Sequence, residues 1–388
     1  MQELLNISIE YQYLITVSFI LLLPKILLRF RIPTGITALI LGCICINVLG
    51  WYKESNQLIL ILARLGITSL FLFAGMEIDL NDLKKEMRPL AKYLLKSIAI
   101  IIITALLIYF IFTISFQISL ILTIAIFTPS AGFILSSLKH YELNDKEIFW
   151  IKLKAISKEI AAILVLFFAL QMNDVGGLFR SKVIFIICLL LLPPLFKFFL
   201  NFIAPYAPKT EVSFLVIISL IFGVITKKLG TYYLVGAFAT GIVAGQFNHF
   251  MNSSHSKRIE ESLASFYGIF VPFYFFSAGL LITQDFFTIK GLILGILISS
   301  VFIPIRILSV VLSIKYFIKD FWQDRMKISM SLIPNLIFGL VVIGILKERF
   351  NVEAYILSGL VIYTLLASIL PAIYFEKTPP ENYDSSRL

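Results

Sequence analysis

The sequence predicts an all-α polytopic membrane protein of about thirteen spanning helices, arranged as two inverted six-helix halves. Three observations carry this: how apolar the chain is, how regularly its apolar runs recur, and where proline interrupts two of them. Of 388 residues, 59% are hydrophobic and 14% charged. Mean hydropathy is +0.95, more apolar surface than a water-soluble chain can bury or tolerate.

Crossing about 30 Å of hydrocarbon at 1.5 Å per residue takes about 20 apolar residues. Candidate runs lie at 11–29, 33–50, 57–79, 90–113, 116–138, 149–170, 181–204, 211–227, 231–247, 262–282, 290–316, 325–347 and 353–376. Only short breaks separate them, so one membrane domain is expected. The start, Met1-Gln-Glu-Leu-Leu, is acidic where a secretory leader is basic, and the first run reads as a retained helix. The polar residues 377–388 are expected to form a short cytoplasmic tail without a fold of their own.

A net charge of +10 does not imply a nucleic-acid partner here, because Lys and Arg fall in short clusters between apolar runs. They orient the chain instead. With the N-terminus outside, 22 of the 33 basic residues fall on the cytoplasmic side and 8 outside, the asymmetry that sets membrane orientation. Cys43, Cys45 and Cys188 lie within apolar runs without zinc-type spacing. His140, His249 and His255 form no metal-like pattern. Neither a cofactor nor enzymatic chemistry is expected.

The fifth run contains Thr128-Pro129-Ser130-Ala131-Gly132 and the twelfth contains Pro334-Asn335-Leu336-Ile337-Phe338-Gly339. Proline lacks a donor and clashes with the preceding turn, so both helices are expected to unwind near mid-membrane. With the seventh run (181–204) as a linker, runs 1–6 and 8–13 form two halves, and the interrupted helix is fifth in each. Six helices and one linker start the second half from the opposite side of the membrane. That is the pattern of inverted repeats whose discontinuous helices meet at a binding site. It is read from helix counting and Pro/Gly placement; no residue-level repeat is visible.

Charges inside hydrocarbon cost about 2.5–3.5 kcal/mol each on insertion scales, which makes those retained there functional candidates. Glu159 is the one acid near the centre of a run. Its carboxylate can hold a proton or attract a small cation, and the two states exclude each other. The competing reading is a structural ion pair with Arg306 or Lys158. Lys158 either neutralises an acid or carries a proton itself, whereas Arg306 stays charged and serves as a fixed counter-charge. Arg64 snorkels outward and is given no function. Thr128, Ser130 and Ser157 offer oxygens that hard monovalent cations prefer, and each has the plainer alternative of helix packing. Glu77 and Asp79, at the end of the third run, form either a cytoplasmic funnel for cations or a solvated helix end.

Several stretches resemble the cation:proton antiporter superfamily, which includes bacterial sodium/proton exchangers and Kef-type potassium/proton systems. Leu70-Phe-Leu-Phe-Ala-Gly-Met-Glu-Ile-Asp79 resembles its glycine–acid motif, and residues 128–132 its unwound helix. Lys158-Glu159-Ile160-Ala161-Ala162 resembles its acidic pair, Phe270-Val-Pro-Phe-Tyr-Phe-Phe-Ser-Ala-Gly279 its phenylalanine-rich tenth span, and Arg306 its basic residue. The resemblance implies panel helices at 11–79 and 211–282 that dimerise, and ion-translocating core helices at 90–170 and 290–376 that move against them. It implies a homodimer in the inner membrane that exchanges Na⁺ or K⁺ for H⁺ at Glu159. The family usually has Asp at the place of Glu159, preceded by Asp, Asn or Gln; here Lys158 precedes it. A positive core suited to an anion or organic solute, or a channel or non-transporting membrane protein, are the alternatives.

Overall fold

The computed structural model of the chain describes residues 8–27, 30, 32–52, 57–76, 87–138, 143–172, 175–207, 210–229, 233–247, 253–317 and 321–375. Among them there is no strand. The α-helices, in order, are α1 (Ile9–Leu27), α2 (Thr34–Asn47), α3 (Gln57–Met76), α4 (Met87–Phe112), α5 (Phe116–Phe127), α6 (Ala131–Leu138), α7 (Asp145–Ala169), α8 (Val175–Phe198), α9 (Glu211–Lys228), α10 (Tyr233–Phe247), α11 (Ser253–Leu280), α12 (Ile289–Phe317), α13 (Arg325–Ser331), α14 (Leu336–Phe350) and α15 (Ala354–Tyr374). The pairs α5/α6 and α13/α14 are each one span cut in two, so the described helices form thirteen segments, one for each apolar run. Among the described residues nine candidate spans reach crossing length and hydropathy, with α2 and α10 shorter apolar helices.

Several helices start ahead of their apolar runs, α8 at Val175, not 181, among them. α11 begins at Ser253, not 262, and α7 at Asp145, not 149. For α7 the reason is a reciprocal cap: the Glu147 amide donates to Asn144 Oδ1 at 2.9 Å and the Asn144 amide donates to Glu147 Oε2 at 2.8 Å. α14 ends where Asn351 turns left-handed, φ 46°.

The chain packs as two compact units, residues 1–60, 121–159 and 275–388 in one and 61–120 and 160–274 in the other. Each contains a helix crossing at which backbones touch. In the first unit a methyl group on Gly42 of α2 would collide with the Phe276 carbonyl of α11, and one on Gly279 would collide with the Leu39 carbonyl. In the second, Gly75 of α3 and Gly241 of α10 stand in the same way against the carbonyls of Phe238 and Leu72. In both, each glycine faces the carbonyl three residues before its partner glycine. Such small-residue contacts hold helices together where lipid removes the hydrophobic drive.

At the C-terminal end of α11, carbonyls left over by the helix are capped from the same unit. Asn47 donates to Ile282 at 2.7 Å and Lys347 to Leu281 at 2.5 Å. Large apolar side chains stand exposed along α4 (Ile103, Phe110), α8 (Ile186, Leu190) and α12 (Ile296, Leu308), as a lipid-facing surface requires.

Candidate ion-binding site at the helix crossing

α5 stops at Phe127 and α6 starts at Ala131, and α13 stops at Ser331 while α14 starts at Leu336. Pro129 and Pro334 lie in the gaps, where neither can donate to a helical bond. Gly132 and Gly339 lie just beyond, in the first turns of α6 and α14. Gly339 has a packing role, since a methyl there would stand 2.7 Å from Thr364 Oγ1 of α15.

Two interrupted helices leave orphan amides and carbonyls at mid-membrane, and each unsatisfied group costs several kcal/mol in hydrocarbon. The two breaks satisfy each other. The Ser130 amide donates to the Pro334 carbonyl at 2.8 Å. Ser130 Oγ accepts the amides of Ile337 and Phe338, each at 3.0 Å, and so caps the start of α14 from another span. In return Asn335 Nδ2 donates to the Ala125 carbonyl at 2.9 Å, near the end of α5.

Arg306 of α12 is 2% exposed. It donates through Nη2 to the Leu332 carbonyl at 3.0 Å and through Nη1 to Tyr363 Oη at 2.9 Å, and Tyr363 donates to the Ile126 carbonyl at 2.7 Å. One guanidinium thus serves the C-terminal ends of both leading half-helices, each carrying about half a negative charge. Among the described residues Arg306 has no carboxylate within 4 Å, so the Arg306 form of the competing ion-pair reading is not seen.

Two buried oxygens at the breaks, Thr128 Oγ1 and Asn335 Oδ1, accept no hydrogen bond. They are acceptors held in irregular backbone, the kind of group that can face a cation. Ser130 differs from them: its oxygen, expected as a ligand, is already occupied by two amides.

Glu159 is 2% exposed on α7. One turn before it, Ala155 packs in a buried cluster with Ala131 of α6, Val310 of α12 and Leu332 beside the second break. The cluster brings α7 against both breaks. Ser157 is fully buried and donates to the Leu153 carbonyl at 2.6 Å, which leaves its oxygen able to accept. Lys158 is half-buried. Lys154, also on α7, is 5% exposed. Glu77 and Asp79 lie outside the described residues.

Tyr363 and Lys154 are the site features that sequence reading missed. A tyrosine in an apolar span looks like packing, although a buried phenol must find a partner. Lys154 is one of many basic residues in the sequence, and nothing but packing distinguishes it.

Inverted halves with cross-capped discontinuous helices define a secondary-transporter fold. The family model described as "Sodium/hydrogen exchanger, transmembrane" matches residues 14–376, and the chain belongs to that family of transporters. Among curated relatives, the chain is 26% identical over 283 residues to the probable Na⁺/H⁺ antiporter 3 of Methanocaldococcus jannaschii, covering 70% of this chain and 71% of the relative. It is 24% identical over 293 residues to the Na⁺/H⁺-K⁺ antiporter GerN of Bacillus cereus, covering 71% and 73%. It is 27% identical over 370 residues to the Na⁺/H⁺ antiporter of Enterococcus hirae, covering 90% and 93%. In fold, the chain is similar to the sodium proton antiporter MjNhaP1 of Methanocaldococcus jannaschii at pH 8, with a TM-score of 0.67 at 15% identity over 93% of this chain and 94% of that one.

Proposed function

We propose that the protein exchanges a monovalent cation, Na⁺ or K⁺, for H⁺ by alternating access, with Glu159 as the shared site. The observation that carries this is a buried carboxylate on a helix packed against two mutually capped helix breaks. Arg306 is committed to the ends of both leading half-helices, so its charge stabilises the crossing. Ionised, Glu159 attracts a cation beside the uncapped oxygens of Thr128 and Asn335; protonated, it repels none and binds none. Each turnover then moves one proton against one cation, without net charge.

Membership of the exchanger family and the antiporter names of all three relatives support cation exchange over an anion or organic solute. Panel helices at 11–79 and 211–282, core helices at 90–170 and 290–376, a homodimer, an inner-membrane location and an outside N-terminus remain part of the proposal. The positive-charge asymmetry supports the orientation.

The test uses protein reconstituted in vesicles with an internal pH probe. Na⁺ or K⁺ added outside is expected to drive proton movement, and Glu159→Gln to abolish it while the purified protein keeps its melting temperature. Unchanged exchange by that variant, or proton movement driven only by chloride or an organic anion, refutes the reading.

A further inference from the structure

Arg64 is an intramembrane charge that the exchange site does not use. It lies two turns into α3 and is exposed, and its guanidinium carbon stands 5.8 Å from the centre of the Tyr233 ring. From the last turn of α9, Lys227, also exposed, places its ammonium 4.9 Å from the centre of the same ring. Tyr233 itself is buried at the start of α10. All three belong to one compact unit.

Two like charges on one ring repel each other, and the quadrupole of a single tyrosine offsets about 0.5–1 kcal/mol per cation at an exposed position. Among the described residues neither cation has a carboxylate within 4 Å. Lys228 follows directly and is exposed too. Lys227 gains from its place at a helix C-terminus; Arg64, deep in its helix, has no such reason to be there.

The surface next to these cations is apolar and open. On α9, Ile217, Ile221 and Val224 recur at i, i+4 and i+7 and are 53%, 47% and 43% exposed. On α3, Ile61 is 54% exposed one turn before Arg64. An apolar stripe that ends in paired cations, on a helix in a membrane, matches one chemistry: hydrocarbon chains joined to an anionic group.

We propose that Arg64, Lys227 and the Tyr233 ring form a site for the headgroup phosphate of an acidic phospholipid, with its acyl chains along the exposed faces of α3 and α9. The lipid supplies the missing negative charge at the depth where Arg64 emerges. The proposal is independent of the exchange reading, because it concerns binding and not turnover.

Purified, delipidated protein titrated with phosphatidylglycerol or phosphatidylcholine, and read by native mass spectrometry, tests it. The unaltered protein is expected to prefer phosphatidylglycerol, and R64Q/K227Q to lose about thirtyfold of that preference, at about 1 kcal/mol for each basic residue near an anionic headgroup. R64K/K227R, which keeps both charges, should retain most of it. Should the double glutamine variant not fold, K227Q alone, altered at an exposed helix end, should lose about fivefold. An undiminished preference in the glutamine variants overturns the site. So does competition by inorganic phosphate as strong as that by the lipid, which makes it a plain anion site. A change in the monomer–dimer ratio of R64Q/K227Q with lipid preference intact assigns the patch to a protein contact and also overturns it.

Discussion

The two helix breaks do the same work with different chemistry. The first, residues 128–130, contributes a hydroxyl oxygen, which accepts amides at the positive start of α14. The second, residues 332–335, contributes an amide group, which donates to a carbonyl at the negative end of α5. Their relation to Arg306 differs as well. The end of α13 meets the guanidinium directly, whereas the end of α5 meets only neutral donors, Asn335 and Tyr363, with the charge one step behind. The break that borrows its charge through a phenol is the softer of the two. Charged hydrogen bonds contribute about 1.5–3 kcal/mol and neutral ones about half that.

This difference is open to direct attack. Arg306→Met strips the guanidinium from Leu332 and leaves Tyr363 without its donor, so a loss of about 3 kcal/mol is expected. In detergent melts and amide exchange, residues 328–339 should open first; equal protection with and without the charge contradicts the assignment. Ser130→Ala orphans two amides at the head of α14 and should cost about 2 kcal/mol, with faster exchange at Ile337 and Phe338. Tyr363→Phe removes a single hydroxyl and should cost about 1 kcal/mol. Its effect belongs to the first break: exchange at residues 124–131 rises while residues 332–338 stay protected, and the reverse pattern would invert the comparison.

The smallest effect lies outside the membrane. Burial pushes the Glu147 carboxyl above its usual range; the Asn144 amide opposes that, Asp324 adds to it and Lys327 opposes it. The folded protein therefore holds this proton more tightly than the unfolded chain. Its contribution to stability is full below the unfolded value of about 4.3 and falls as pH rises through the raised folded value. Glu147→Gln keeps the helix cap and should flatten the melting temperature between those two values; a slope as steep as before removes Glu147 as its source.

How far the sequence could be read follows the same physics. Thirteen apolar runs were legible because a hydrocarbon environment demands long apolar stretches, even where a helix such as α2 or α10 falls short of full crossing length. Both breaks were legible because Pro129 and Pro334 each stand near a glycine in the fifth run of a half; proline alone does not decide it, since Pro272 and Pro304 lie within continuous helices. Partners were not legible. The composition of residues 128–130 says that Ser130 has an oxygen, but only three-dimensional packing says that two amides 207 and 208 positions away claim it. Tyr363 was hidden for the same reason. The inverted repeat was inferred from counting alone, and the glycine pairs, Gly42 with Gly279 and Gly75 with Gly241, mean nothing until their helices cross.

Those glycine crossings constrain any working cycle. Where backbone rests on backbone there is no side-chain layer to shear, and sliding would force one carbonyl over the next. α2 with α11, and α3 with α10, must each travel as a welded couple. The stroke that carries an ion across has to be taken up on surfaces padded by branched side chains.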